Sequence, residues 1–154
     1  MLSKLQQNLY PGSSKLERLA ALKTTLDRAD RLDEELVRSI ILHTCRGNPF
    51  VTLTTFRPII EARAWMDLGL GLIAEQLPTW CVCRLCLDDG LWWCGMNPRQ
   101  PVYWTPCEVD EPHPVLAVAI LKAFITALIQ PECTPVPSSG QRAQRRISIA
   151  AHCE

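Results

Sequence analysis

With 154 residues, the chain is long enough to bury a substantial core as one domain. Apolar residues make up 47%, and sixteen basic side chains balance sixteen acidic ones. That composition excludes a disordered chain and removes the basic surplus on which nucleic-acid binding usually rests, so nucleic acid is not expected as a partner.

The opening MLSKLQQNLYPG has neither the apolar stretch nor the small-residue cleavage site of an export signal. No apolar run reaches the ~20 residues of a transmembrane helix, so no membrane partner is expected. Eight cysteines without an export signal read as reduced thiols, which places the chain in the cytoplasm. Pro11-Gly12 closes a short segment over residues 1–13, read as one or two helical turns. A single α+β domain is expected over 14–130 and a Pro-rich tail over 131–154.

Ser14-x-x-Glu17 has the spacing of a capping box, and Leu16, Leu19, Ala20, Leu22 and Leu26 follow at helical intervals toward Asp30. Asp33 is placed to cap a second helix with Leu36, Val37, Ile40 and Ile41 on its apolar side. Glu34 and Glu35 favour its positive end. The two make an N-terminal helical pair. His43 and Cys45 close it before Gly47-Asn48-Pro49. Cysteine beside histidine suggests a nucleophile, but that needs a base in hydrogen-bond reach and a third group to orient the base. A histidine at a helix end is more commonly a partner of the helix dipole.

Phe50-Val51-Thr52-Leu53-Thr54 alternates, which favours a short strand. Thr54 or Thr55 then caps a long helix over 55–77, with Pro58 in its first turn. Gly69-x-Gly71 lacks the strand-then-helix context of a phosphate loop and reads as close packing or a kink. Leu77-Pro78 ends the helix.

Thr79 to Thr105 reads as a β-meander. Asp89-Gly90 between two apolar runs signals a hairpin, because a type I′ turn needs φ > 0 at both central residues. Regular pairing sets Leu87 against Trp92, Leu85 against Cys94 and Cys83 against Met96. One face then carries Cys81, Cys83, Leu85, Leu87, Trp92, Cys94 and Met96. The other carries Trp80, Val82, Arg84, Cys86, Asp88, Leu91 and Trp93. Val102-Tyr103-Trp104-Thr105 is expected to return as a third strand. Cys81, Cys83, Cys86 and Cys94 match a four-thiolate zinc site in number, but Cys86 faces away from the others and Cys81-x-Cys83 is tighter than a zinc knuckle. Core packing is the simpler reading. No metal, cofactor or catalytic set is assigned.

Asp110 and Glu111, followed by Pro112-His113-Pro114, read as a helix start, with His113 structural. Val115 to Ile129 is apolar almost all round, broken only by Lys122 and Thr126. A helix over 114–129 is therefore expected at the centre of the core. Beyond Pro131, the cluster Arg142, Arg145 and Arg146 reads as a solvated tail rather than a nucleic-acid arm.

Arg31-Leu32-Asp33, Thr54-Thr55, Leu77-Pro78 ahead of a Trp-led strand, Asp89-Gly90-Leu91-Trp92 and His113-Pro114-Val115-Leu116-Ala117 occur in a familiar order. Over residues 15–130 it resembles the small phage and prophage proteins of the phage ABA-sandwich type; the cysteine content and the tail depart from them. The resemblance implies an antiparallel sheet of three or four strands layered between helices, a phage or prophage origin and a bacterial cytoplasm. It lends no catalytic residue, and the family's function is unknown. The expected function is non-enzymatic: protein–protein interaction with a host or phage macromolecule, inhibition being one form of it. Two alternatives stay open. One is a zinc module on Cys81, Cys83, Cys86 and Cys94; the other is a small hydrolase or transferase using Cys45 or Cys86 with His43 or His113.

Overall fold

The computed structural model describes residues 14–99 and 108–130. The readings made for the segment 1–13, the strand at Val102–Thr105, the tail 131–154 and its arginine cluster lie outside the described residues.

Local hydrogen bonding sets the first two helices. Ser14 Oγ accepts the Glu17 N–H at 3.3 Å while Glu17 Oε2 accepts the Ser14 N–H at 2.7 Å, which completes the capping box of α1 (Lys15–Asp27). Asp33 Oδ1 accepts the Leu36 N–H at 2.8 Å and opens α2 (Glu34–Thr44). Leu19, Leu22 and Leu26 of α1 and Val37, Ile40 and Ile41 of α2 are buried, as their spacing requires.

The next stretch departs from expectation. Residues 50–54 form no strand, because Asn48 caps and Pro49 opens another helix, α3 (Pro49–Glu61). Asn48 Oδ1 accepts the Phe50 N–H at 3.0 Å, and a first helical position has no use for the N–H that proline lacks. The alternating run also carries a helical stripe: Thr52, Phe56 and Ile60 are buried. Pro58 accordingly lies inside the helix, not in its first turn, and offers no N–H to the Thr54 carbonyl. Nor does the helix run on to residue 77. Arg63 takes a left-handed conformation with φ 53°, and α4 (Trp65–Gln76) begins after it. Leu77 is its C-cap, where Leu77-Pro78 had placed the end.

β1 (Trp80–Asp88), β2 (Leu91–Pro98) and β3 (Val109–His113) form an antiparallel sheet in that order. Asp89 (φ 47°) and Gly90 (φ 76°) make the two-residue turn, and pairing follows expectation from Asp88–Leu91 back to Leu85–Cys94. Beyond that it shifts. Arg84 pairs with Gly95 and Val82 with Met96, so Cys83 is an extra residue in a β-bulge. One extra residue reverses the faces of everything before it. Trp80 and Val82 therefore join the core face, Cys81 leaves it, and Cys83 is exposed. Gly95 makes room for the bulge, since a Cβ there would stand 3.0 Å from Arg84 Cβ and 3.4 Å from Cys83 Sγ.

β3 is the second correction to the sheet. Asp110 and Glu111 lie in a strand instead of opening a helix, and α5 (Leu116–Ile129) begins beyond Pro114. Trp92 pairs with His113, Cys94 with Glu111 and Met96 with Val109, so those three β3 side chains share the core face. α5 is the central helix its composition called for. Residues 118 to 125 are all buried, and α1, α4, β2 and β3 pack against it. The fold is α+β, an antiparallel sheet set among helices.

Candidate functional site

The four hairpin cysteines are divided by the bulge and the register. Cys94 is fully buried on the core face, Cys83 is exposed at the bulge, and Cys81 and Cys86 lie half-buried on the opposite side. Burial pushes the Cys94 thiol up to about 12. Only Cys94 of the four faces the core, so the hairpin does not present four thiols on one side as a tetrahedral site requires. Among the described residues no group of three or more His, Cys, Asp or Glu side chains is arranged to hold a metal ion.

The cysteine–histidine pairings are not assembled either. His43 Nδ1 lies 2.8 Å from the Ser39 carbonyl one turn back, so its ring is engaged by its own helix. Cys45 sits beside Thr52 and Glu75, and burial raises its thiol above the ordinary value. An activated nucleophile needs the opposite shift. His113 Nδ1 accepts the Val115 N–H at 3.0 Å, bracing the turn into α5.

A cluster that the sequence reading did not assemble lies under β3. Glu111 Oε1 accepts from Lys23 Nζ at 2.6 Å and Thr126 Oγ1 at 2.7 Å, with Lys122 Nζ 3.5 Å from Oε2. Lys122 Nζ also donates to the Pro112 carbonyl at 2.8 Å and pairs with Asp27 Oδ1 at 2.6 Å. The available signal was Lys122 itself, a lone cation in an apolar helix that needs a buried anion. A cleft of about 420 Å³ opens beside it, lined by Asp27, Asp30, Leu91, His113 and Lys122 among others. An ammonium has three donors, and three oxygens already surround this one. Lys122 ties the fold together and has no donor left for a ligand in the cleft.

The sheet's other face is different in kind. Cys86, Trp93 and Pro112 make one cross-strand row there, and Arg84, Gly95 and Asp110 the next. Gly95 has no side chain, so Arg84 reaches across it to pair with Asp110. The guanidinium lies 5.7 Å from the centre of the Trp93 ring, within cation–π range. Trp93 is half-buried and Arg84 and Asp110 are exposed. At the turn end of the hairpin, Leu85 and Leu87 lie on the core side yet are 40% and 57% exposed.

No family profile matches the chain, and comparison with curated proteins and with solved structures finds no significant match.

Proposed function

We propose that this chain is a small phage- or prophage-type protein that acts without catalysis, by binding a host or phage protein through the outer face of its sheet. The observation that carries this is Trp93 with Arg84 held over its ring. Tryptophan and arginine supply a disproportionate share of interface energy. Asp110 fixes the guanidinium beforehand, so less side-chain freedom is lost when a partner closes over it. The engagement of His43 with the Ser39 carbonyl and of His113 with the Val115 N–H favours a binding role over cysteine–histidine chemistry. The resemblance to phage ABA-sandwich proteins supports the origin and a bacterial cytoplasm as the place of action.

The test begins with capture from bacterial lysate on immobilised protein, followed by titration of the purified captured protein. Trp93→Ala should weaken that binding by roughly 30-fold, the scale of an interface hot spot, while leaving the urea midpoint nearly unchanged. A chain that captures nothing reproducibly, or a partner that both Trp93→Ala and Arg84→Ala bind equally well, sinks the reading.

A further inference from the structure

We infer that the edge of β1 left open among the described residues is a self-association site, where two copies of the chain pair antiparallel about a twofold axis through Cys86. This inference stands on the sheet edge and shares only Arg84 with the partner face around Trp93.

β1 is an edge strand of the described sheet, with β2 on one side only. Such edges carry unpaired N–H and C=O groups and are normally blunted by lysine, proline, extreme shortness or a covering element. β1 runs nine residues and contains neither lysine nor proline. Among the described residues its protection is the bulge at Cys83, which leaves Arg84-Leu85-Cys86-Leu87-Asp88 as the regular part of the edge.

That five-residue run complements itself. With the axis through Cys86, Leu85 of one copy lies opposite Leu87 of the other, and Arg84 lies opposite Asp88. Each relation occurs twice. In a hairpin closed by a two-residue turn, the pair flanking the turn, here Asp88 and Leu91, exchanges its backbone hydrogen bonds. Backbone groups alternate in direction along a strand, so those of Asp88, Cys86 and Arg84 point to β2 and those of Leu87 and Leu85 point outward. The proposed register uses these outward groups, because Leu85 and Leu87 of the second copy form a hydrogen-bonded pair on either side of the axis. Cys86 faces its counterpart at a non-hydrogen-bonded position. A register displaced by one residue would lose this match.

The side chains agree with the backbone. Leu85 and Leu87 are among the few large apolar residues left exposed, and both lie on the core side of the sheet. The twofold axis gathers four leucines between the two helical layers and removes them from water. On the other side each Asp88 stands one strand away from an Arg84 whose guanidinium reaches the opposite way, across Gly95 to Asp110, so the charges attract across the axis without a direct bond being required. The pairing consumes the edge in both copies, so it closes at a dimer instead of propagating.

Sedimentation of the full chain over a range of concentration tests this. Self-association up to twice 17.4 kDa is expected in the micromolar range, as for a small interface. Arg84→Asp sets carboxylate against carboxylate and Asp88→Arg sets guanidinium against guanidinium, twice per dimer. Each alone should weaken dimerisation at least about tenfold, and the double change Arg84→Asp/Asp88→Arg should restore it. Leu87→Lys should abolish it with the circular dichroism spectrum unchanged. A chain that stays monomeric to on the order of 100 µM overturns the proposal. So does a dimer indifferent to the single charge changes, or one that the double change fails to rescue.

Discussion

Glu111 of β3 and Lys122 of α5 face each other inside the protein, with Lys122 Nζ 3.5 Å from Glu111 Oε2 and the residues 8% and 6% exposed. Their further bonds to Lys23, Thr126, Asp27 and the Pro112 carbonyl tie α1, β3 and α5 together. A buried pair is costly to break from one side, because the remaining charge has lost its compensation. Here Lys122 keeps Asp27 at 2.6 Å, so Glu111→Ala should instead cost about 1–3 kcal/mol in a urea melt, through the Lys23 and Thr126 donors it leaves without an acceptor. Glu111→Leu together with Lys23→Met removes both members of the 2.6 Å pair and should recover part of that loss, since apolar replacement of a whole pair costs less than breaking it from one side. A double variant as unstable as the single one would show that shape, not charge, governs this site.

His113 gives the fold an acid sensitivity. Desolvation holds its pKa below the ordinary value, with the Lys122 charge acting in the same direction. The unfolded chain then takes up a proton at higher pH than the folded one. Stability from this group is complete above the unfolded pKa of about 6.5 and is lost as pH falls below it. Urea midpoints should fall between pH 7.5 and pH 5.5, above the range in which most carboxylates titrate. His113→Asn should flatten that dependence. An unchanged slope in the variant would assign the proton uptake elsewhere.

What could be read from the residues alone divides along a physical line. Features decided within a few residues were legible: the Ser14–Glu17 capping box, the Asp33 cap, the Asp89-Gly90 turn and the apolar helix ending at Ile129. Features decided by distant partners were not. Phe50 to Thr54 is a local exception: it satisfies both a strand alternation and the helical spacing of Thr52, Phe56 and Ile60, and the adjacent Asn48-Pro49 settles the choice. Arg63 breaks the chain between α3 and α4 without glycine or proline to mark it. The charges of Asp110 and Glu111 suggested a helix start because their partners, Arg84 and Lys23, lie far away in sequence. The bulge at Cys83 has one mark in the sequence, the glycine at Gly95 inside the facing strand, and it decides which cysteines enter the core.

The bulge also separates the tryptophans. Trp80, moved by it to the core face, is 8% exposed and belongs to the core, while Trp93 is half-buried outside it. Trp80→Ala should cost about 3–5 kcal/mol, the usual range for emptying a buried aromatic site. Trp93→Ala should cost less than about 1 kcal/mol, because its ring lies against Arg84 and solvent. Chemical denaturation of the two variants side by side makes the comparison. Equal losses would place Trp93 in the core and remove the basis for the partner face.

Gly69 tests how closely α4 approaches the central helix. A Cβ at that position would stand 2.7 Å from Ile120 Cγ2, closer than carbon atoms can approach. Alanine in place of glycine should favour the helix by about 1 kcal/mol. Against this, overpacking a close-packed interior costs about 1–3 kcal/mol. Ile120 is fully buried on α5, and its Cγ2 branches directly from Cβ on a side chain with one strongly preferred helical rotamer. It has little freedom to turn aside, so α4 must shift and Gly69→Ala should be net destabilising. At Gly71 the neighbour is different: the atom met at 2.6 Å is Cε1 of Phe56, the far part of a ring that can rotate. Gly71→Ala should therefore be the milder change. A double-mutant cycle separates the clash from any general loosening. Ile120→Ala alone should cost about 2–5 kcal/mol by leaving a cavity. Combined with Gly69→Ala, which fills part of that space, it should cost at least about 1 kcal/mol less than the sum of the two single changes. Strict additivity would mean that α4 and α5 do not meet at these two residues.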